Sequence, residues 1–598
     1  MVVESASESV SEFLKSICYS VGMNLLRQRK IHEIAPDEIF LDSTNLPDYE
    51  ASQFEGRVVS RVSHKAIFSV GIVFFLVTAA FGMRVFSLEI MRGETYAEVS
   101  RSNTLEHSIV FVTRGLILDR NGVELAWNEV APSSIKPLST TTNISDEKRG
   151  AFALRRYTDM SGLAHILGFV QYPKADASGT WWREEYMGIS GVELSYDSIL
   201  GGANGRSMVE RDARGAIQRE NIVAPTRDGE DLRLSVDADV QSHLYSMLST
   251  HARAQGFEGG AAVIIDVRTG ELLALTSFPE YDNQAFTDGN SSVVRAMSND
   301  KRTPLLNRAV RGLYVPGSIV KPIFAAAALN EKIISPDTEI LSTGALSLPN
   351  PYNPESPSLF RDWAVHGLVD MRTAIAVSSD EYFYTIGGGY KGQRGLGIVK
   401  IDEYARRFGL GSTTGFIFRG EAQGVIPTPE WKAVVFGPDD PWRIGNTYHT
   451  AIGQYGFQVT PLQAAVFTAA IANGGKILVP TLLASSTPRS REVGIPDEYL
   501  QIVREGMRLA VTSSRKDATV KSLHIPEIHI AAKTGTAQLG ERNESMNSWS
   551  VGFWPSENPR YAYAVVLERA PAGTLSGASP ALLPFFRWLS ANHPEYTQ

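Results

Sequence analysis

Three short motifs in this 598-residue chain combine residue types that can do chemistry. They are Ser318-Ile-Val-Lys321, Ser378-Ser-Asp380 and Lys533-Thr-Gly-Thr536. Each motif alone has an ordinary structural interpretation, as the start of a helix, a helix cap and a turn at the end of a strand. Their order, with gaps of about 60 and about 150 residues, instead predicts a nucleophilic serine, a polar bridge and a strand that grips the substrate.

The first motif supplies a nucleophile and a base. Pro316-Gly317 before it and the apolar run after it predict a helix over Ser318–Asn330. Ser318 and Lys321 are three residues apart and therefore share one face of that helix. A serine hydroxyl is a poor nucleophile until a neighbouring base takes its proton. A lysine does this only when its amine is uncharged, a form that burial and a nearby positive charge favour, and Lys533 is the candidate for that charge.

The second motif lies in a helical pattern around Met371–Tyr384. Ser378 is placed to relay a proton between Lys321 and a leaving amine, and Asp380 to hold either Lys321 or a substrate amide. In the third motif, Gly535 would allow a substrate backbone to lie close against the strand.

The other residues of the third motif suit an anionic substrate. Thr534, Thr536 and Lys533 offer two hydroxyls and a cation, which fit a carboxylate. The backbone N–H groups of Thr536 and Ser318 are candidates for an oxyanion hole, in which losing one donor costs about 100- to 1,000-fold in rate.

The elements around the motifs predict an α/β (α+β) domain from residue 231 to 598. Strands are expected at both ends of this domain and helices between them, which indicates one antiparallel sheet with helices packed on it. The predicted strands are Gly260–Asp266, Glu271–Thr276, His529–Lys533, Ser548–Phe553 and Tyr561–Glu568, and the third predicted helix is Pro461–Asn473.

Composition excludes several classes of function. A net charge of −8 gives no reason to expect nucleic-acid binding. The single cysteine, Cys18, rules out an internal disulfide framework. Neither a Cys/His cluster nor a glycine-rich phosphate loop is visible, so we predict no metal site and no cofactor.

An apolar segment, residues 66–88, predicts one membrane-spanning helix, because its first 18 residues carry no charge. The basic residues Arg57, Arg61 and Lys65 precede it and slightly favour a cytoplasmic N-terminus. We therefore expect a single-pass anchor in the plasma or inner membrane, with a cytoplasmic tail at residues 1–65 and the catalytic domain outside the cytoplasm.

Residues 89–230 predict a β-rich module before the larger domain. It opens on Arg114 to Asp119, a strand that leads into an Asn-Gly turn at Gly122. We interpret the polar residues of this module, including Glu193, as parts of turns and buried ion pairs without a catalytic role.

Further sequence motifs accompany the three described first. Together they make the chain resemble a class B penicillin-binding protein, a monofunctional peptidoglycan transpeptidase. Several of them resemble the elongation-type subgroup, penicillin-binding protein 2, although a division-type enzyme stays open. These marks are Arg114-Gly…Asp119-Arg-Asn-Gly122, Asn307-Arg-Ala…Gly312, Asp362-Trp…His366-Gly367, Phe408-Gly-Leu-Gly…Thr414-Gly415, Gly424-Val-Ile-Pro427-Thr-Pro-Glu-Trp431 and Gly453-Gln454…Val459-Thr-Pro461-Leu-Gln463.

The resemblance implies a reaction and a fold like that of serine β-lactamases and transpeptidases. Ser318 would attack the penultimate D-Ala carbonyl of a stem pentapeptide with Lys321 as general base, and an amine of a neighbouring strand would resolve the acyl-enzyme into a cross-link. β-Lactams would acylate Ser318. Residues 89–230 would be the non-catalytic pedestal, and a SEDS-family glycosyltransferase in the membrane would polymerise the glycan.

The chain departs from the family pattern at three places. Val315 stands where a second proline is common, Tyr455-Gly456 inverts a usual Gly-Tyr, and Asp380 replaces an asparagine. Within the matched stretches, His366 and His449 are interpreted as structural polar residues.

Two other classes of function stay open. In a D,D-carboxypeptidase or β-lactamase, water would resolve the acyl-enzyme. A binding protein, either a β-lactam sensor or a scaffold that activates a glycosyltransferase, would need no turnover.

Overall fold

The computed structural model describes residues 63–95, 105–130, 152–178, 180–211, 217–350, 353, 355–540 and 542–598. The chain divides into two compact units, Met1–Ser100 and Arg101–Gln598. In the first unit, helix His64–Phe86 continues into a π-helical turn at Ser87–Met91. These 28 residues are long and apolar enough to cross a membrane. Cys18 and nearly all of the predicted tail lie outside the described residues.

The second unit is built around a five-stranded sheet in which all neighbouring strands are antiparallel. This confirms the predicted fold class. In spatial order the strands are Leu272–Phe278, Gly259–Asp266, Tyr561–Pro571, Ser545–Trp554 and Ala531–Leu539. The last strand begins two residues later than predicted and runs through the third motif, because Thr534 and Thr536 pair with Ser550 and Ser548 of the neighbouring strand. The whole motif therefore lies within an edge strand.

Both faces of this sheet are buried along Gly259–Asp266 and Leu272–Phe278, which explains why these two strands are mostly apolar. Side chains alternate between the faces of a strand, so Ala261, Val263 and Ile265 enter one hydrophobic core while Ala262 and Ile264 enter another. Helices Ala238–Gln255 and Ala578–Asn592 contribute to the second core. Helix Pro461–Ala472, within one residue of its predicted end, is buried at every position in the first core.

Further helices and short strand pairs surround the first core. The helices are Asn283–Thr287, Ser291–Asn299, Arg308–Arg311, Lys321–Asn330, Met371–Val377, Asp380–Gly388, Gly397–Arg407, Pro429–Phe436, Ile444–Ala451 and Asp497–Thr512, with 3-10 turns at Gly317–Val320, Lys521–Leu523 and Pro594–Tyr596. The paired strands are Ile340–Ser342 with Gly367–Val369, Ala345–Leu348 with Ser358–Arg361, and Lys476–Leu478 with Ser490–Glu492.

The N-terminal part of the second unit is β-rich, as expected. The predicted hairpin is present, with a turn at Gly122 (φ 90°) between two strands of a four-stranded sheet. That sheet contains Leu232–Arg233, Ile117–Leu118, Glu124–Glu129 and Leu154–Tyr157. The remaining elements are a sheet of Leu105–Val110, Gly205–Arg211 and Ile217–Ala224, the pairs Val170–Gln171 with Met187–Gly188 and Lys174–Ala175 with Trp181–Arg183, and helices Ala164–Leu167, Gly191–Ser195 and Asp197–Leu200.

Candidate active site

The first motif lies on a tight turn that leads into a buried helix. Gly317–Val320 form a 3-10 helix, and an α-helix continues from Lys321 to Asn330. In a 3-10 helix, side chains three residues apart lie one above the other, so Ser318 and Lys321 stand on the same side of the turn. The Lys321 side chain is fully buried and Ser318 is half-buried. The predicted shared face is therefore present, with a 3-10 rather than an α-helical start.

Two glycines allow this turn to lie directly against the edge strand. A Cβ atom on Gly535 would lie 2.6 Å from the Pro316 carbonyl oxygen, and one on Gly317 would lie 2.9 Å from that of Thr536. Gly317 also has a φ of 56°, which other residues rarely adopt. The missing side chain at Gly535 thus makes room for the serine turn, whereas the sequence analysis assigned that space to a substrate backbone.

The second motif interrupts a helix, although the sequence predicts a continuous one. Helix Met371–Val377 ends at Ser378, which has a left-handed φ of 61°. Ser379 then caps the next helix by accepting a hydrogen bond from the Tyr382 N–H at 3.3 Å. A left-handed residue ends a helix, so the break redirects the chain and lets Ser378 and Asp380 both reach the first motif.

Lys321 is held by this interrupted segment. Its Nζ donates to Asp380 Oδ1 at 2.6 Å, to the Ser378 carbonyl at 2.7 Å and to the Ser378 Oγ at 3.3 Å. The Asp380 side chain is 19% exposed while that of Lys321 is 0% exposed. Of the two partners the sequence offers for Asp380, the structure places Lys321 against it.

Lys533 reaches the same serine from the edge strand. Its Nζ donates to Ser378 Oγ at 2.7 Å and to the Thr534 carbonyl at 2.8 Å. Burial, together with the nearby Lys321 charge, lowers the pKa of Lys533 well below its usual value, and Asp380 opposes this only in part. The Ser378 hydroxyl therefore bridges two lysine nitrogens, one of which is strongly biased toward its uncharged form.

The remaining predicted site residues border this cluster. Thr534 is half-buried and Thr536 is exposed, whereas Lys533 and Gly535 are buried. This alternation is expected, because successive side chains of a strand face opposite sides of the sheet. In the described part of the chain, the Ser318 hydroxyl makes no hydrogen bond. The structure thus joins Lys321, Ser378, Asp380 and Lys533 directly and places the nucleophile candidate one turn away with a free hydroxyl.

A loop at the inverted Tyr-Gly pair also contacts the serine turn. The Gly317 N–H donates to the Gly453 carbonyl at 2.9 Å. Tyr455 has a left-handed φ of 62°, and its ring lies 6.0 Å from Trp431 and 5.7 Å from Trp442. This loop is therefore packed beside the candidate nucleophile.

Sequence reasoning missed a second layer of polar residues behind the second motif. Asp362 Oδ2 accepts hydrogen bonds from Ser379 Oγ at 2.8 Å and from the Glu381 N–H at 2.9 Å. His366, interpreted from sequence as structural, lies beside Asp362 and bonds Asp517. Asp362 and His366 are among the motif marks and could have been suspected, but Asp517 is 151 residues from His366 and carries no local signal.

Comparisons with known proteins identify the family of the chain. The family model for the penicillin binding protein transpeptidase domain matches residues 260–586, and that for the penicillin-binding protein dimerisation domain matches residues 148–234. A protein named peptidoglycan D,D-transpeptidase MrdA from Haemophilus influenzae is 29% identical over 84% of this chain and 88% of its own. The Acinetobacter baumannii protein of that name is 34% identical over 73% of this chain and 66% of its own.

Solved structures with similar folds carry related titles. Pseudomonas aeruginosa PBP2 in complex with WCK 5153 is 28% identical, with a TM-score of 0.65 over 82% of this chain and 100% of that one. Helicobacter pylori PBP2 in complex with MreC is 26% identical, with a TM-score of 0.66 over 82% of this chain and 99% of that one. The resemblance drawn from the motifs is confirmed: the chain belongs to the penicillin-binding protein transpeptidase family, as a class B member most like PBP2.

Proposed function

We propose that this protein is a peptidoglycan D,D-transpeptidase of cell-wall elongation that works through an acyl-enzyme on Ser318. The observation that carries the proposal is the buried cluster of Lys321, Ser378, Asp380 and Lys533 beside the serine turn. It unites all three motifs from stretches far apart in the chain. The relatives named above support the reaction class.

The first step requires an uncharged base beside the serine. The cluster holds two lysines but only one directly bonded carboxylate, so one lysine is favoured without its proton. The Ser378 hydroxyl contacts both nitrogens and allows a proton to pass between them. Lys321 in its uncharged form takes the Ser318 proton as Oγ attacks the penultimate D-Ala carbonyl carbon.

The later steps return that proton and transfer the acyl group. The N–H groups of Ser318 and Thr536 stabilise the oxyanion of the tetrahedral intermediate. The peptide C–N bond breaks, and the terminal D-Ala leaves with a proton delivered from Lys321 through Ser378. An amine of a neighbouring stem peptide then attacks the ester carbonyl and loses its proton to the same base. The ester C–O bond breaks, and this proton passes from the base to the Ser318 oxygen, which frees Ser318 and leaves the amide cross-link.

Substrate recognition falls to the edge strand. Thr534 and Thr536 offer hydroxyls on the accessible face, and Gly535 fixes the distance between strand and serine turn. The carboxylate of the terminal D-Ala, or that of a β-lactam, binds these hydroxyls near Lys533. A β-lactam acylates Ser318 by the same attack.

The domain roles follow the proposed boundaries. Residues 1–65 form a cytoplasmic tail, 66–88 the single membrane span, 89–230 a pedestal and 231–598 the transpeptidase domain outside the cytoplasm. A structure titled for the coordination of polymerization and crosslinking by a peptidoglycan synthase complex covers 89% of this chain. By analogy, the partner here is a SEDS-family glycosyltransferase in the membrane.

The decisive experiment labels the full-length protein in detergent with fluorescent penicillin and then supplies defined lipid-linked peptidoglycan with its polymerase. We expect one covalent label per chain, complete loss of the label in Ser318→Ala, and cross-linked products from the wild type only. Ser335→Ala is the matched control, because Ser335 is an exposed loop serine bonded to Thr338.

Three results would contradict the proposal. A label that persists in Ser318→Ala would remove the nucleophile assignment. Stem tetrapeptides without cross-links would indicate a carboxypeptidase, and normal glycan synthesis with neither product would indicate a scaffold.

A further inference from the structure

A buried histidine stands between two carboxylates behind the second motif. His366 Nδ1 lies 2.8 Å from Asp517 Oδ2, and Nε2 lies 3.4 Å from Asp362 Oδ1. The latter distance is longer than an ordinary hydrogen bond, and Nε2 has no other partner among the described residues. The side chains of both His366 and Asp362 are 0% exposed. His366 and Asp362 therefore interact mainly through their charges, at a site that is not exposed to water.

Asp362 transmits this contact to the motif. Its Oδ2 accepts from the Ser379 hydroxyl and from the Glu381 N–H, the residues on either side of Asp380. Asp380 and Ser378 in turn hold Lys321. A single carboxylate thus fixes the turn that carries the second motif.

The outer carboxylate is itself held in place. Arg515 donates to Asp517 through Nε at 3.0 Å and through Nη2 at 2.9 Å, and Nη2 also donates to the His366 carbonyl at 2.8 Å. The same loop is tied to helix Met371–Val377, which ends at the second motif, because the Thr519 N–H donates to the Ala376 carbonyl at 3.2 Å. His366 therefore cannot turn away without breaking several bonds.

The charges around His366 favour its protonated form. Burial lowers its pKa, but the contacts with Asp362 and Asp517 and the charges of these two carboxylates outweigh burial and raise the pKa above its usual value. Although burial raises the pKa of Asp362, the contact with His366 and the backbone N–H groups of the turn lower it to about 2. The other charged groups that face this set are Arg515, on Asp517, and Lys321, whose charge acts on Asp362.

We propose that His366 is a positioning residue: in its protonated form it fixes the Asp362 carboxylate, and this carboxylate fixes the turn that carries the second motif. The inference rests on the proposed function, since it assumes that Ser378 and Asp380 serve the acylation of Ser318. It adds a residue that touches neither substrate nor nucleophile.

The proposal predicts a specific dependence on pH. Because His366 is charged below its raised pKa, the turn is held at pH values below that pKa and is released as pH rises through it. Lys533, whose pKa is lowered, gives the opposite trend, because its uncharged form becomes more populated as pH rises. Acylation should therefore pass through a maximum, and the fall on its alkaline side should belong to His366.

The test measures acylation of the full-length protein by fluorescent penicillin from about pH 6 to about pH 9, separating noncovalent binding from the acylation step. In His366→Gln we expect acylation to slow by about 10- to 100-fold near neutral pH, because small misplacements of catalytic groups have effects of this size. The loss should lie in the acylation rate constant with binding unchanged, and the alkaline fall should disappear. Asp517→Asn, which removes one of the two carboxylates, should shift the fall to lower pH.

The matched control is His593→Gln. His593 also lies between two carboxylates, Asp239 at 2.9 Å and Glu595 at 3.1 Å, and its pKa is also raised, but these partners are exposed and belong to neither motif nor turn. Its pH profile should match the wild type.

The proposal would be overturned if His366→Gln were acylated within about twofold of the wild-type rate. It would also be overturned if His366→Gln were acylated slowly with an unchanged pH profile and Asp517→Asn showed no shift. Should His366→Gln fail to fold, Asp517→Asn alone decides. Loss of label in Ser318→Ala keeps the proposed function in place in either case.

Discussion

Two of the buried groups of charged side chains differ in how completely their charges are matched. In the pedestal, Glu193 accepts from Arg114 at 2.6 Å and from Arg155 at 2.7 Å, and Asp197 adds a second carboxylate to Arg114 at 2.7 Å. In the catalytic cluster at the candidate active site, Lys321 donates to the Asp380 carboxylate, whereas Lys533 donates to the Ser378 hydroxyl and, among the described residues, to no carboxylate.

This difference separates a structural ion pair from a reactive one. In the pedestal, burial raises the pKa of Glu193, but the charges and hydrogen bonds of Arg155 and Arg114 outweigh burial and lower this pKa below its usual value, which favours the charged carboxylate. In the catalytic cluster, burial and the charge of Lys321 lower the pKa of Lys533. A matched cluster holds its protons fixed, whereas an unmatched cluster of similar burial has a proton that can move.

The largest expected effect comes from breaking the matched cluster. Glu193→Gln leaves two buried guanidinium groups without their shared carboxylate, and removing one partner of a buried ion pair costs about 3–5 kcal/mol. We expect a lower midpoint of denaturant unfolding and an unchanged rate of penicillin acylation per folded molecule. Among the described residues, the side chain of Glu193 bonds Arg114, Arg155 and Tyr157, all of which lie in the pedestal. A loss of acylation without a loss of stability would show that the pedestal cluster takes part in catalysis.

The two clusters also differ in how far the sequence reveals them. The spacing of Ser318 and Lys321 and the alternation of the strands carry local signals, so the motifs, the sheet and the apolar helix are predictable. The break at Ser378 is not, because its left-handed backbone depends on the lysines and Asp362 that surround it. Asp517 is invisible for the same reason, since only the folded chain brings it to His366. Gly535 shows a related limit. The sequence indicates that this position needs a small residue, but it does not show that the serine turn is what lies against it.

A pH-dependent effect tests the unmatched cluster. Because the folded pKa of Lys533 is lowered, the unfolded chain binds a proton that the folded chain lacks at any pH between that value and the ordinary one near 10.5. Stability should therefore rise with pH across this window, by up to about 1.4 kcal/mol per pH unit. Lys533→Met, of similar length and without charge, should remove this rise. Unfolding midpoints of both proteins at about pH 7 and about pH 9, followed through the buried Trp549 and Trp554 of the sheet, check it. Parallel curves would mean that Lys533 keeps its proton in the folded protein.

The smallest effect is expected at an ion pair of the pedestal that is not buried. Arg206 and Glu184 lie 3.4 Å apart, with side chains 63% and 43% exposed. Water screens such a pair, so Glu184→Gln should change the free energy of unfolding by less than about 1 kcal/mol, and high salt should remove even that difference. It is the same substitution as Glu193→Gln in the same module, made at an exposed pair with one arginine instead of a buried site with two. Equal losses in the two variants would mean that pairing matters irrespective of burial, and the contrast between matched and unmatched buried clusters would lose its physical basis. A small loss at Glu184 beside a large one at Glu193 would assign the effect to desolvation, the same cause that lowers the pKa of Lys533.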